Sequence, residues 1–212
     1  MPITISESNS LPITEFVIPS HYQSDLESVL IPAGLINDRV EKLAECIARD
    51  SSAPIVACCV LKGAAVFHAD LTRILKKLTG PDGGSIPLSF EFIKVKSYEN
   101  DTSTGDVKIS LSEAELQTFK GRDILIVEDI VDTGRTMTAL LKKLKEYEPA
   151  SVRVVSLLVK RTSRSNDYVP DYVGFYIPDL FVVGYALDYN ERFRDLDHIC
   201  VIADSAKAKY AQ

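Results

Sequence analysis

Three carboxylates, Glu128, Asp129 and Asp132, fall within five positions, between the apolar run Ile124-Leu125-Ile126-Val127 and the segment Thr133-Gly134-Arg135-Thr136. Residue types in this order suit phosphate and sugar chemistry. A glycine-containing loop that opens a helix presents free N–H groups and the positive end of the helix dipole, a site for a phosphate. Paired carboxylates just before it can hold sugar hydroxyls or a hydrated divalent cation. Phosphate beside ribose is a nucleotide-like pattern. A lone acidic pair would more simply cap or solvate a turn, but the third acid and the Thr-Gly-Arg-Thr helix start argue against that reading. Two other folds also put an acid after a buried strand. A nucleoside triphosphatase is excluded because no G-x-x-x-x-G-K-[ST] occurs in the chain. A phosphorylation receiver domain beginning at Ile124 would have less than half of the chain for its whole sheet.

The elements that must position these residues follow from the apolar pattern. Ile55 to Leu61 and Val152 to Val159 are continuous apolar runs of the kind found in strands buried on both faces. Further strands are expected at Ile86 to Val95, Ile124 to Val127, Tyr172 to Tyr176, Val182 to Tyr185 and His198 to Ala203. Helical spacing marks Leu35 to Arg49, with Asn37 or Asp38 as other candidate starts, then Ala64 to Leu78 and Thr136 to Tyr147. Glu128 and Asp129 read as an acidic turn after their strand. Strands alternating with helices predict an α/β fold: a single domain with a mostly parallel, doubly wound sheet flanked by helices. Ligands in such sheets bind at the carboxyl ends of the strands. That rule places Lys62, Lys96, Glu128, Asp129 and Lys160 on one rim. Ser97 to Gly105 is polar and aperiodic, as a lid loop over a site would be. Residues 1–15 read as a loosely ordered leader and 16–212 as the domain.

Composition narrows the classes. Hydrophobic residues make up 46% and charged residues 25% of 212 positions, the usage of a globular domain rather than of a disordered or fibrous chain. Apolar runs are too short to span a bilayer. A formal charge of −6 argues against nucleic acid or an anionic membrane as partner. Cys46, Cys58, Cys59 and Cys200 lack zinc or redox spacing and read as reduced thiols packed as small hydrophobes. His21, His68 and His198 are isolated and read as structural or surface groups. The start Met1-Pro2-Ile3-Thr4 lacks the pattern of a signal peptide, so a cytoplasmic protein is expected.

The segment Ile124 to Thr136 resembles the phosphoribosyl pyrophosphate (PRPP) loop of type I phosphoribosyltransferases. Other stretches are similar to the hypoxanthine-guanine members of that family. They are Val60-Leu61-Lys62-Gly63, Lys96-Ser97-Tyr98 with Ser103-Thr104-Gly105-Asp106, Ser156 to Thr162, and Phe181 to Asn190 with Phe193-Arg194-Asp195. The likeness is collinear from about Phe16 to Tyr210. It implies transfer of the 5-phosphoribosyl group of PRPP to N9 of hypoxanthine or guanine, giving IMP or GMP plus pyrophosphate, with Mg²⁺ as cofactor.

On that resemblance, residues 128–136 (Glu128, Asp129, Ile130, Val131, Asp132, Thr133, Gly134, Arg135, Thr136) bind PRPP, with the 5′-phosphate on the loop from Asp132 to Thr136. Glu128 and Asp129 hold the ribose hydroxyls directly or through Mg²⁺, and Asp188 joins them as a metal ligand. Asp132 is the general base that takes the purine N7 proton. An ordinary aspartate is a weak base at neutral pH. Two aids are therefore expected: Lys160 acidifying the purine through O6, and Glu128 and Asp129 raising the pKa of Asp132. Lys160, Phe181, Val182 and Asp188 contact the base. Lys62, Gly63 and Arg194 meet pyrophosphate, on a loop where the family often carries a non-proline cis peptide at Lys62-Gly63. Ser97 and Tyr98 reach the substrate from the lid. The terminal segments form a small hood, and the chain assembles as a homodimer or homotetramer. Ala64 stands where many relatives have a second glycine, and Arg135 where lysine is common.

Competing readings are a phosphoribosyltransferase of another base range, including xanthine, and a non-catalytic PRPP-binding regulator that touches RNA. The regulator is disfavoured because Asp132, Lys160 and Arg194 are all present and no Lys/Arg-rich run appears.

Overall fold

Buried on both faces, the apolar run Ile55–Leu61 lies at the middle of the molecule, with six of its seven residues inaccessible. A computed structural model describes residues 1–51, 53–97 and 107–211. Its elements in chain order are β1 (Ile3–Thr4), β2 (Leu26–Ile31), α1 (Ala33–Arg49), β3 (Ile55–Leu61), α2 (Ala65–Leu75), β4 (Leu88–Ser97) and β5 (Val107–Ile109). There follow α3 (Glu113–Gln117), β6 (Asp123–Val131), α4 (Arg135–Lys145), β7 (Ser151–Arg161), β8 (Tyr172–Pro178), β9 (Val182–Val183), β10 (Ile199–Ile202) and α5 (Asp204–Lys209).

Seven strands form one sheet in the order β1-β8-β7-β6-β3-β4-β5. Every pairing in it is parallel except β4 with β5. The expected sheet is therefore present, with the carboxyl ends of β3, β6 and β7 side by side. α1 and α2 pack on one face with Ile36, Val40, Leu43, Phe67 and Leu71, while α4 covers the other with Met137, Leu140 and Leu144. A separate antiparallel sheet, β2-β10-β9, is drawn from both ends of the chain. It has its own core of Tyr22, Leu26, Val29, Val183, Phe193, Cys200 and Ile202, and is the expected hood.

Several boundaries move for identifiable reasons. α1 begins at Ala33, earlier than Leu35, Asn37 or Asp38, because the Ala33 N–H donates to His198 Nδ1 at 2.9 Å. That partner lies 165 residues away and leaves no local trace. β6 continues through Glu128 and Asp129 to Val131, because β7 keeps pairing with it at Ile130↔Leu158 and Val131↔Val159. The two acids thus stand in a strand and not in a turn. Residues 1–15 are not a loose leader. Ile3 and Thr4 pair with Phe175 and Tyr176, the Arg161 guanidinium donates to the Ile5 carbonyl, and Leu11 bridges to Val29. Ser97 ends β4, whereas Tyr98 and the remainder of the expected lid lie outside the described residues.

All four cysteines are free, with Cys58, Cys59 and Cys200 buried. Burial raises the thiol pKa of each, for Cys59 and Cys200 to about 12, so they behave as apolar packing groups. Among the described residues no helix is long and apolar enough to cross a membrane.

The seam between β7 and β8 has no spare room. A Cβ placed on Gly174 would lie 2.4 Å from the Leu157 carbonyl oxygen. Both atoms belong to strands held in the sheet, so the clash cannot be relieved by a side-chain rotation. Gly174→Ala is expected to destabilise the protein by about 2 kcal/mol, the usual cost of overpacking. Thermal unfolding should show a fall in Tm of about 4–8 °C for a chain of this size.

Candidate active site

Strand β6 delivers the first two acids to the rim. The Glu128 carboxylate accepts a hydrogen bond from the Asp129 N–H at 3.2 Å. Burial, reinforced by the adjacent Asp129 carboxylate, pushes the Glu128 carboxyl well above the usual range. Asp129 turns to the loop after β3, where a Cβ on Gly63 would lie 1.7 Å from Asp129 Oδ2. A side chain at this position would have to push the carboxylate aside. The Lys62-Gly63 loop and the acidic pair are therefore brought together, as expected. The cis peptide is at Leu61-Lys62, one bond earlier than the Lys62-Gly63 position read from the family pattern.

Beyond β6 the chain turns through Asp132 and Thr133 into α4. Gly134 holds φ of +79°, the left-handed region that suits glycine, and precedes the first residue of the helix. Asn166 buckles this loop in place. Its N–H donates to the Thr133 carbonyl at 2.9 Å and its amide to Thr138 Oγ1 at 3.0 Å. The result is a cavity of about 120 Å³ lined by residues 128–136 except Asp129 and Arg135, together with Met137. Its volume is below that of ordinary small-molecule pockets and suits one compact anion facing helix N–H groups. Arg135 is exposed and lies outside the wall of this cavity. A larger cavity of about 730 Å³ lies between the hood and α1 and α2, but Arg194 is the only expected site residue in its wall. Size alone would have pointed away from the chemistry.

Lys160, near the end of β7, has a side chain only 11% exposed. Its Nζ lies 3.6 Å from Asp132 Oδ2 and 3.8 Å from Asp179 Oδ1. Arg164 Nη2 approaches the same two carboxylates at 3.4 and 3.3 Å. Asp132 thus faces two cations, Lys160 and Arg164. The Thr162 hydroxyl, with Arg164 and Lys160, holds Asp179 below the usual carboxylate range. Two residues further on, Phe181 is 41% exposed, meets the Tyr189 ring edge to face at 5.4 Å and has Lys207 Nζ over its ring at 5.9 Å from the centroid. Val182, next in the chain, is buried in β9.

On the opposite side, Lys62 Nζ and Arg194 Nη2 converge on Glu191 Oε2 at 3.0 and 3.3 Å. Arg194 also pairs with Asp188 at 2.9 Å. The two expected pyrophosphate cations are therefore close together. Asp188 is not gathered with Glu128 and Asp129, since Arg194 neutralises it; among the described residues no group of three metal-ligating side chains forms. Two adjacent half-buried carboxylates still form a hard-oxygen donor set of the kind Mg²⁺ takes from a protein. The ion commonly binds one or two carboxylates and completes its shell with water and substrate phosphates.

Sequence reasoning missed Asn166, Arg164, Asp179 and Glu191. Asp179 had a signal: it directly follows the apolar strand β8, and the rim rule that selected Lys160 also selects it. Asn166 and Glu191 lie in loops with no such marker.

Comparison with known proteins agrees with this geometry. The phosphoribosyl transferase domain family matches residues 32–190. The hypoxanthine-guanine phosphoribosyltransferase of Rattus norvegicus is 57% identical over 196 residues, 92% of this chain and 89% of that protein. The Homo sapiens enzyme of the same name is 56% identical over the same shares. A crystal structure of hypoxanthine-guanine phosphoribosyltransferase from Schistosoma mansoni in complex with IMP superposes with a TM-score of 0.81 at 40% identity, covering all of both chains.

Proposed function

Because the chain belongs to the phosphoribosyltransferase family, we propose that it transfers the 5-phosphoribosyl group of PRPP to N9 of hypoxanthine or guanine in purine salvage, forming IMP or GMP and releasing pyrophosphate. The observation that carries this reading is the pair Asp132 Oδ2 and Lys160 Nζ, 3.6 Å apart beside the phosphate cradle. An acceptor and a donor side by side match the N7–H and O6 of a 6-oxopurine. A 6-aminopurine would turn a donor toward the lysine and leave a buried cation unsatisfied.

The cradle from Asp132 to Thr136 anchors the 5′-phosphate with main-chain N–H groups and threonine hydroxyls. Glu128 and Asp129 hold the ribose hydroxyls and are the residues that would carry Mg²⁺. When bound, the ion neutralises charge on the pyrophosphate. Asp188 stands beside Arg194 and would help orient it toward pyrophosphate. As the bond from C1 to the pyrophosphate oxygen breaks, the bond from C1 to N9 forms and the N7 proton passes to Asp132. Lys62 and Arg194 exchange Glu191 for the departing pyrophosphate, whose negative charge they stabilise. Phe181 stacks on the base, while the main chain of Val182 reads its edge. The free thiols suit the cytoplasm. Val66 and Phe92 are exposed apolar side chains that a homodimer or homotetramer would cover.

The test is direct. With PRPP and Mg²⁺, the protein should form nucleotide from hypoxanthine and guanine and far less from adenine; xanthine, run alongside, defines the base range. Absence of turnover with both hypoxanthine and guanine overturns the proposal.

A further inference from the structure

We propose that Asp179 is a positioning residue for Lys160, and that with Arg164 it sets the preference for 6-oxopurines; this rests on the phosphoribosyl-transfer reading above. Four charges alternate in a ring. Lys160 and Arg164 each contact both Asp132 and Asp179, at distances between 3.3 and 3.8 Å. Of the four, Lys160 is the most enclosed, at 11% exposure against 42% for Asp179 and 58% for Arg164.

An ammonium on a flexible four-carbon stem must be held if one N–H is to aim at O6. In the substrate-free protein both carboxylates do this. When a purine enters, Asp132 turns to the N7 proton and Lys160 to O6, so their mutual contact loosens. Asp179 is then the carboxylate left to Lys160. It is suited to that task because it is fixed independently. Arg161 and Pro178, one residue before it, pair in the sheet, and the Leu180 N–H donates to the Pro178 carbonyl at 2.8 Å. Asp179 is not part of the phosphate cradle wall, so its loss leaves PRPP binding alone. Arg164 spans Asp132 and Asp179 and offsets the repulsion between the two carboxylates. Asp132, Asp179 and Arg164 are 42–58% exposed, and ion pairs among groups so open to water contribute little to folding, so the arrangement is better explained by aim than by stability.

The experiment compares the wild type with Asp179→Asn, measuring KM and kcat for hypoxanthine, guanine and adenine at saturating PRPP, KM for PRPP, and thermal unfolding. The expected result is a rise of about tenfold in KM for both 6-oxopurines, the scale of one lost hydrogen bond to a charged group. KM for PRPP and Tm should stay unchanged, and the ratio of kcat/KM between hypoxanthine and adenine should narrow. An unaltered base KM, an equal rise for PRPP and base, or a constant hypoxanthine-to-adenine ratio overturns the role of Asp179. A wild type inert with both 6-oxopurines overturns the transfer reading and this role together. An active wild type with an indifferent Asn variant removes only the role of Asp179.

Discussion

Asp132→Asn lowers kcat by about 10²–10⁴-fold, the range expected when a positioned general base is lost, and leaves PRPP affinity within about twofold. The expectation follows from what the substitution keeps. Asparagine has the same shape and still offers an oxygen to Arg164 and Lys160, so the turn into α4 and its left-handed Gly134 persist. In the proposed reading the 5′-phosphate is held by main-chain N–H groups, and the Asp132 carboxylate takes no part in holding it. What disappears is an acceptor able to keep the N7 proton while N9 attacks. Steady-state kinetics with hypoxanthine, combined with direct titration of PRPP binding, separates the two effects. Unchanged turnover would remove Asp132 from the chemistry. Loss of PRPP binding in step with turnover would assign it to the cradle instead.

Lys160→Met should act on selectivity as much as on rate. Methionine fills nearly the same volume in a position only 11% exposed, but offers no donor. Hypoxanthine and guanine would each lose the contact to O6, and kcat/KM for both should fall by about 10²–10³-fold. Adenine loses nothing, because its amino group gains no benefit from a lysine facing it. The ratio of kcat/KM for hypoxanthine over adenine should therefore collapse toward unity. Parallel assays with the two bases read this ratio directly; if it holds at its wild-type value, recognition of the 6-position lies elsewhere. Asp132→Asn, by contrast, should slow every base that remains a substrate, which makes the two variants diagnostic of different steps.

Much of this arrangement is legible in the amino-acid sequence, for physical reasons that differ by element. β3 has the expected bounds because an apolar run buried on both faces admits few other conformations. The Thr133-Gly134-Arg135-Thr136 loop is legible because a glycine opening a helix is local chemistry. Strand-end lysines follow from one rule about parallel sheets. Features set by distant partners are not legible. The start of α1 depends on His198, the shape of the phosphate loop on Asn166, and the surroundings of Asp132 on Arg164 and Asp179. Glu128 and Asp129 read as a turn because two acids in a row look solvated. Pairing with β7 carries the strand past them, an effect of the neighbouring strand rather than of their own propensity.

The first five residues have a consequence for solubility. β8 runs Tyr172-Val173-Gly174-Phe175-Tyr176-Ile177-Pro178, aromatic and β-branched with no charge, and on one side it meets β7. Without β1 its other side would offer unpaired N–H and C=O groups to any passing chain, the usual route to strand-by-strand self-association. Ile3 to Ile5 occupy that side through pairing with Phe175 and Tyr176 and the hydrogen bond from the Ile5 N–H to the Tyr176 carbonyl. The new outer strand is only two residues long and follows Pro2, which has no N–H to donate. This short segment thus ends the sheet and gives a second molecule little to extend.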